Sequence, residues 1–394
     1  MQLRALRERF DYPGPLLAIG LLSFLNVLAH SFLWPLMSLY ITSVHKQTLT
    51  TAGLVLFVGS AAASGGALLG GLFFDRWGAR PVVLGGMGLS ALFVIVPGLV
   101  TSFPLFIASY TLFMAASAGV FPALNALAGQ VWPEGGRKAF NLVYVAHNLG
   151  VALGTVIGGQ VAKHSFQISF LAASVGFLIA TVASAKLVSP KLSAQAGAQR
   201  ERGEGQIPWL PIGALFLALV LCWITYVQWQ GTISVWMESR GMGLDSYTFL
   251  WTVNGLVIFL AQPLLSWVVA RIRSLTGQIY LGLALFVCAF LILQGHPSYA
   301  LLIGGMVVLT LGEVLLWPGF PAAADAIAPN GRKGAVQGFI ASAGTAGRMV
   351  GPLLGGFIYD RYGFHSVMQG SASLLVLPFL LVLLYTMTRR KRAR

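Results

Sequence analysis

The sequence predicts an all-α membrane protein: twelve transmembrane helices arranged as two pseudo-symmetric six-helix bundles. Three observations carry this prediction. Of 394 residues, 57% are hydrophobic and only 9% are charged, where an average soluble protein carries about 25% charged residues. Apolar windows of roughly 19 residues recur along the whole chain. Short strings in the first half return in the same order in the second half. With a mean hydropathy of +0.79, a soluble core is excluded, because no soluble domain supplies a dozen apolar stretches of ~20 residues. A closed barrel is excluded because the runs do not alternate.

In chain order, MQLRALRERF reads as a retained basic stub, with no small-residue cleavage site after the apolar segment that follows. Span 1 covers 14–41 and carries Phe24, Asn26, His30, Phe32 and Trp34. Span 2 covers 49–74 and ends at Asp75. A tight turn holds Arg76, Gly78 and Arg80, and Pro81 opens span 3 at 81–101. Charges packed this densely between two membrane-length stretches belong at a membrane surface, since burying each in lipid costs several kcal/mol. Span 4 covers 104–131, span 5 covers 138–162 with His147 and Asn148, and span 6 covers 165–188. The polar stretch 189–208 reads as a linker. It divides the chain into an N-terminal bundle, 1–188, and a C-terminal bundle, 209–394. Spans 7 to 12 follow at 209–236, 246–270, 275–295, 298–327, 334–359 and 365–388. Lipid offers no partners to backbone groups, so continuous helices are expected. Cys222 and Cys288 lie in apolar segments and read as packing residues.

An even number of spans puts both ends on one side. One side carries Arg4, Arg7, Arg9, Arg76, Arg80, Arg137, Lys138, Lys186, Lys191, Arg200, Arg202, Arg271, Arg273, Arg332, Lys333 and the tail Arg389, Arg390, Lys391, Arg392 and Arg394. The other carries only Lys46, Lys163, Arg240 and Arg361. The asymmetry assigns the basic side, with both termini, to the cytoplasm of a cell inner membrane. The net charge of +14 therefore follows topology and implies no nucleic-acid partner.

The repeat is read from fixed offsets. Gly150-x-x-x-Gly154-x-x-x-Gly158-Gly159 in span 5 returns in span 11 as Gly347-x-x-x-Gly351-Pro352-x-x-Gly355-Gly356. Phe121-Pro122-Ala123 returns as Phe320-Pro321-Ala322, Gly136-Arg137-Lys138 as Gly331-Arg332-Lys333, and Gly53 to Phe57 as Gly255 to Phe259. Small residues every fourth position let helix backbones approach closely in lipid. Pro352 is expected to kink span 11.

Most carboxylates fall at span ends. Glu313 alone lies mid-span, and Arg348 is the only mid-span Lys or Arg. Each is 15 positions from its helix end, about 22 Å deep at 1.5 Å per residue, on consecutive antiparallel spans. An ionisable residue at that depth is a functional candidate and needs a partner. Either Glu313 takes and releases a proton, or meets a substrate cation, with Arg348 tuning it, or the two form a permanent ion pair. His30 lies ~24 Å deep in span 1, with Asn26 one turn below, and is a candidate proton relay or an interhelix contact. Span 7 brings Trp223, Tyr226, Gln228, Trp229 and Gln230. With Phe32, Trp34, Asn254 and Trp317 they form a candidate aromatic, amide-dotted wall for a large lipophilic ligand, although interfacial packing accounts for such aromatics equally.

The spacing Gly71-x-x-x-Asp75-Arg76-x-Gly78-x-Arg80 resembles the loop between the second and third helices of major facilitator superfamily transporters. The string Gly312-Glu313…Trp317-Pro318…Pro321…Pro329…Gly331-Arg332 resembles helix 10 of a bacterial drug/proton antiporter-like branch. The resemblance implies two parallel six-helix repeats with a substrate site near midplane between them. It further implies that Asp75 faces the N-terminus of span 11, near 334, where the helix dipole favours a carboxylate, so that Asp75, Arg76, Gly78 and Arg80 form a cytoplasmic gate. The chain departs from the pattern in four places: Ala79 replaces a motif arginine, no charge lies between Tyr110 and Gly119 where antiporters carry a span 4 arginine, Thr155 stands where span 5 of the antiporters has proline, and the loop between spans 8 and 9 keeps only Arg271 and Arg273 of a second gate motif.

The expected activity is secondary active transport by rocker-switch alternating access: proton-coupled export of lipophilic or amphiphilic small molecules, by a monomer contacting membrane lipids. An exporter or flippase of an anionic lipid or metabolite is the alternative, favoured by Arg348 and the histidines. A transport-like receptor or membrane enzyme is the alternative from another class, but no nucleophile–base pair, metal-ligand cluster or phosphate loop is present. No cofactor is expected.

Overall fold

The computed structural model describes residues 12–132, 137–188, 206–261, 267–268, 270–272, 274–329 and 333–393, excluding the side chains at 75, 137, 138, 140, 141, 333–335 and 390–393. The described residues are helical wherever a span is expected. Nine candidate spans run Gly14–Ser43, Leu49–Phe74, Ala79–Leu99, Phe103–Val131, Leu142–His164, Phe166–Leu187, Trp209–Ser239, Leu275–Ile292 and Tyr299–Asp325. Span 8 is the shorter apolar helix Leu244–Leu260. Spans 11 and 12 form one apolar stretch, Val336–Arg389, broken by Gly363 at φ 78° and ψ 179°. A positive φ with extended ψ is open only to glycine at little cost. Gly78, between spans 2 and 3, has nearly the same geometry, φ 81° and ψ −179°. The chain is thus an all-α membrane protein, with twelve apolar helical stretches among the described residues.

The expectation of continuous helices is corrected in five spans: besides the three described next, span 3 pauses at Ile95, between Ala79–Val94 and Val96–Leu99, and span 12 at Leu375, before Val376–Ala393. Span 1 is helical over Gly14–Ser31, passes through a 3-10 turn at Trp34–Leu36 and resumes at Met37–Ser43. Pro35 lies in that turn and lacks the amide hydrogen an α-helix requires. Span 7 breaks likewise: Trp209–Tyr226, a 3-10 turn Val227–Trp229, then Thr232–Ser239. Span 4 pauses between Ser117 and Val120, at Gly119. Cys288 lies exposed rather than packed inside, whereas Cys222 is buried.

The chain forms two compact units, one of Met1–Pro35 and Gly59–Gln199, the other of Leu36–Val58 and Arg200–Arg394. The first holds a core of Leu16, Ile19, Val83, Met87, Leu124 and Leu127. In the second, Phe286, Leu316 and Phe320 are fully buried.

The recurring glycine ladders do the same job in each unit. In the first, a Cβ on Gly154 would lie 2.5 Å from the carbonyl oxygen of Leu28, and one on Gly158 2.5 Å from Phe32 Cα, so span 5 rides on span 1. In the second, a Cβ on Gly351 would lie 3.0 Å from the carbonyl oxygen of Ile224, and Gly347 presses on Trp223 and Val220, so span 11 rides on span 7. The Leu28, Phe32, Val220 and Ile224 atoms met here are backbone, so no rotamer change moves them aside for a larger residue. Gly154→Val is therefore expected to cost about 1–3 kcal/mol of stability, read as a lower unfolding midpoint in detergent. Gly338→Ala, at a position with open space, should not lower it. Equal midpoints for the two variants would refute the backbone-contact account.

Candidate functional site

Glu313, on span 10, is 9% exposed. Two side chains from other spans of the same unit reach it. The Asn254 amide, from span 8, donates to Oε2 at 2.8 Å and to Thr310 Oγ1 at 2.9 Å. The Tyr226 hydroxyl, from the last turn of span 7 before its break, donates to the same Oε2 at 3.2 Å. Thr310, one turn before Glu313, passes its own hydrogen to the Met306 carbonyl at 2.7 Å. The carboxylate is thus held by neutral donors.

Aromatic rings close around this cluster. Trp223 and Trp317 lie face to face, centroids 4.4 Å apart and 2° from parallel. Tyr226 meets both edge-on, at 5.3 and 5.4 Å. Phe286 stacks on Tyr226 and meets Trp317 edge-on, and Trp251 packs on Tyr226 from span 8. Arg348 from span 11 places its guanidinium 4.6 Å from the Trp223 centroid, a cation–π contact. The direct Glu313–Arg348 ion pair that the sequence allows is not formed. Arg348 lies on an indole face and its side chain is exposed, while Glu313 is buried among neutral donors. Each group has found another partner instead: Arg348 the Trp223 ring, Glu313 the Tyr226 hydroxyl and the Asn254 amide.

Gln228 and Trp229 serve packing rather than a ligand surface. The Gln228 amide nitrogen donates to Ile224 O at 2.8 Å and Gly351 O at 2.9 Å, and its oxygen accepts from Thr232 at 2.8 Å. Its amide repairs backbone acceptors beside the break in span 7. Trp229 is fully buried. In the first unit His30 stacks on Phe113, 5.5 Å between centroids, and His147 packs on Phe121 at 4.5 Å. Asn26 is buried with Oδ1 lacking a hydrogen-bond partner among the described residues. Phe32 and Trp34 are half-buried. Arg76 packs over Trp77, and Arg80 donates to the carbonyl of Ala185 at 3.2 Å. The side chain of Asp75, and the residues around 334 that it was expected to face, lie outside the described side chains.

Sequence reasoning missed Thr310, whose signal was its place three residues before Glu313 on the same helical face. It also missed Asp360. That carboxylate accepts the backbone N–H of Leu49 at 3.2 Å and of Thr50 at 2.7 Å, and the Thr50 hydroxyl.

The amide bonds of Asn254 should be worth about 1–3 kcal/mol to folding. Asn254→Leu is expected to lower thermal stability by that amount in the wild-type background and by much less in Glu313→Leu, where the acceptor is gone. Equal losses in both backgrounds would show that Asn254 acts independently of the carboxylate.

Comparison with known proteins places this geometry. A family model described as Major Facilitator Superfamily matches residues 19–272 and 223–394. An uncharacterized MFS-type transporter, YttB of Bacillus subtilis (strain 168), is 39% identical over 377 residues, covering 94% of each chain. The multidrug resistance protein MdtH of Salmonella newport (strain SL254) is 20% identical over 343 residues, covering 86% of this chain and 85% of its own. Among solved structures, a peptide transporter POT superposes with a TM-score of 0.81 at 15% identity, covering 95% of this chain and 94% of its own. The human organic anion transporter MFSD10 (TETRAN) superposes with a TM-score of 0.69 at 20% identity, covering 94% and 100%.

Proposed function

The chain belongs to the major facilitator superfamily, a family of membrane transporters and not of enzymes, and from that premise we propose that it exports amphiphilic small molecules against proton entry, with Glu313 as the coupling carboxylate. The observation that carries the reading is the partner set of Glu313. A carboxylate deep in a span, held by an amide and a phenol and bonded to no cation among the described residues, loses no ion pair when it takes a proton. Both donors persist around the neutral form. Such a group can therefore load a proton in one state of the carrier and release it in the other. Relatives named as multidrug resistance proteins support the outward direction for the substrate. The basic side faces the cytoplasm in this reading, both termini lie there in the inner membrane, and one chain suffices for transport.

A second reading is favoured by Arg348. Arg348 is mid-span, and its guanidinium is engaged with a ring rather than with a carboxylate. A substrate with an anionic group beside an aromatic or lipophilic body would complement that surface, the anion meeting Arg348 and the body the Trp223–Trp317 stack.

Proteoliposomes with an imposed pH gradient test both, using ethidium as a lipophilic cation and anilinonaphthalene sulfonate as an amphiphilic anion. Glu313→Gln should abolish proton-driven movement of whichever probe the wild type carries, while gradient-independent exchange and the folded state persist. Full gradient dependence in Glu313→Gln would remove the coupling assignment. Arg348→Ala should reduce anion flux at least tenfold and leave cation flux near wild type if the second reading holds. Equal effects on both probes would exclude it.

A further inference from the structure

The string that opens the gate candidate occurs twice. Gly70-Gly71-Leu-Phe-Phe-Asp75-Arg76-Trp-Gly78 at the end of span 2 returns as Gly355-Gly356-Phe-Ile-Tyr-Asp360-Arg361-Tyr-Gly363 at the end of span 11. This copy does not follow the parallel repeat, which pairs span 5 with span 11. It also emerges at the opposite end of its bundle, because span 2 runs toward the basic side and span 11 away from it. The likeness extends to the backbone, since Gly78 and Gly363 share the same positive-φ, extended-ψ conformation.

The two copies differ in what they touch. A Cβ on Gly356 would collide with the Leu49 carbonyl, so span 11 lies directly on the first turn of span 2. One turn later on the same face, Asp360 takes the N–H groups of Leu49 and Thr50 and the Thr50 hydroxyl. The first N–H groups of a helix have no partner inside it. Here Thr48 caps the next donor, Thr51, at 3.1 Å, and Asp360 supplies the remaining acceptors from 310 residues away. By contrast, Gly71 has nothing within 4 Å of where its Cβ would stand.

We propose that Asp360 is a gating residue on the side opposite the basic loops, and that its cap on Leu49 and Thr50 latches the hairpin Leu36–Val58 to the C-terminal unit. Gly356 permits the approach, the helix N-terminus favours the carboxylate, and the positive-φ Gly363 turns the chain so that the carboxylate ends the helix facing span 2. The latch is closed in the state described here. Its release frees the hairpin from the unit that holds Asp360. The rest of the two helices that flank the hairpin, up to Pro35 and from Gly59 onward, belongs to the other unit.

The test needs no substrate. Spin labels are placed at Gln47→Cys on the hairpin and Ala300→Cys at the exposed start of span 10, in a full-length chain with Cys222→Ser and Cys288→Ser, reconstituted in lipid. Double electron–electron resonance should show a dominant short-distance population in the otherwise wild-type chain. Asp360→Ala should raise the ratio of long to short populations about tenfold, and Thr50→Val should raise it less. Gly356→Leu, which forces the hairpin away by bulk and leaves the carboxylate in place, should produce the same long population. Unchanged distance distributions in Asp360→Ala that still melts cooperatively would overturn the latch. So would a long population in Gly356→Leu that differs from the one in Asp360→Ala.

Discussion

A polar side chain inside an apolar span must find its partners in the protein, and Glu313 shows how much structure that requirement organises. A carboxylate left unsatisfied at this depth would cost several kcal/mol. Its donors come from two other spans, Tyr226 on span 7 and Asn254 on span 8, so three helices are fixed in register around one oxygen. The rings packed around the cluster, Trp223, Trp317, Phe286 and Trp251, belong to the same helices or pack against them. Register, burial and aromatic packing therefore all follow from a single charged position.

The breaks in spans 1 and 7 belong to the same economy of hydrogen bonds. A 3-10 turn in a membrane helix leaves carbonyls that nothing in lipid can satisfy. In span 7 the Gln228 amide takes up the Ile224 carbonyl and bonds to Gly351 across the helix interface. Gly355 makes room for this side chain, since a Cβ there would collide with it. The glycine ladder of span 11 thus has two functions: close approach of backbones near Gly347 and Gly351, and space for the residue that repairs the break. A break stabilised in this way is a defined bend, and it places Tyr226 at the end of a helix, where its hydroxyl reaches Glu313.

What was legible in the sequence was whatever depends on periodicity and charge. The spans and the recurring glycine ladders leave local patterns, and the depths of Glu313 and Arg348 follow from counting residues. What was not legible depends on which face of a helix meets which neighbour. Gln228 and Trp229 read as ligand residues because an amide and an indole in a span carry no mark of their direction. Only the packing shows that Gln228 bonds to backbone and Trp229 is enclosed. The choice between a proton-carrying Glu313 and a permanent ion pair with Arg348 stayed open for the same reason: equal depth on adjacent helices does not state which neighbour each side chain meets, and here Arg348 meets Trp223 while Glu313 meets Tyr226 and Asn254. The continuous helices expected at spans 1 and 7 failed because Pro35 alone was a visible breaker, and span 7 breaks without a proline. Asp360 was legible, since Gly-x-x-x-Asp-Arg-x-Gly recurs letter for letter, but the search for repeats followed one offset and this copy lies outside it.

The separation of Arg348 from Glu313 bears directly on how a proton and a substrate could influence each other. An ion pair would have locked both charges and left neither free to respond. Instead the cation lies on one face of an aromatic stack, and the carboxylate lies buried beside that stack with hydrogen bonds from neutral donors. In the function proposed above the two groups therefore have separate tasks: Glu313 can take a proton without breaking an ion pair, and Arg348 can meet an anion without giving one up.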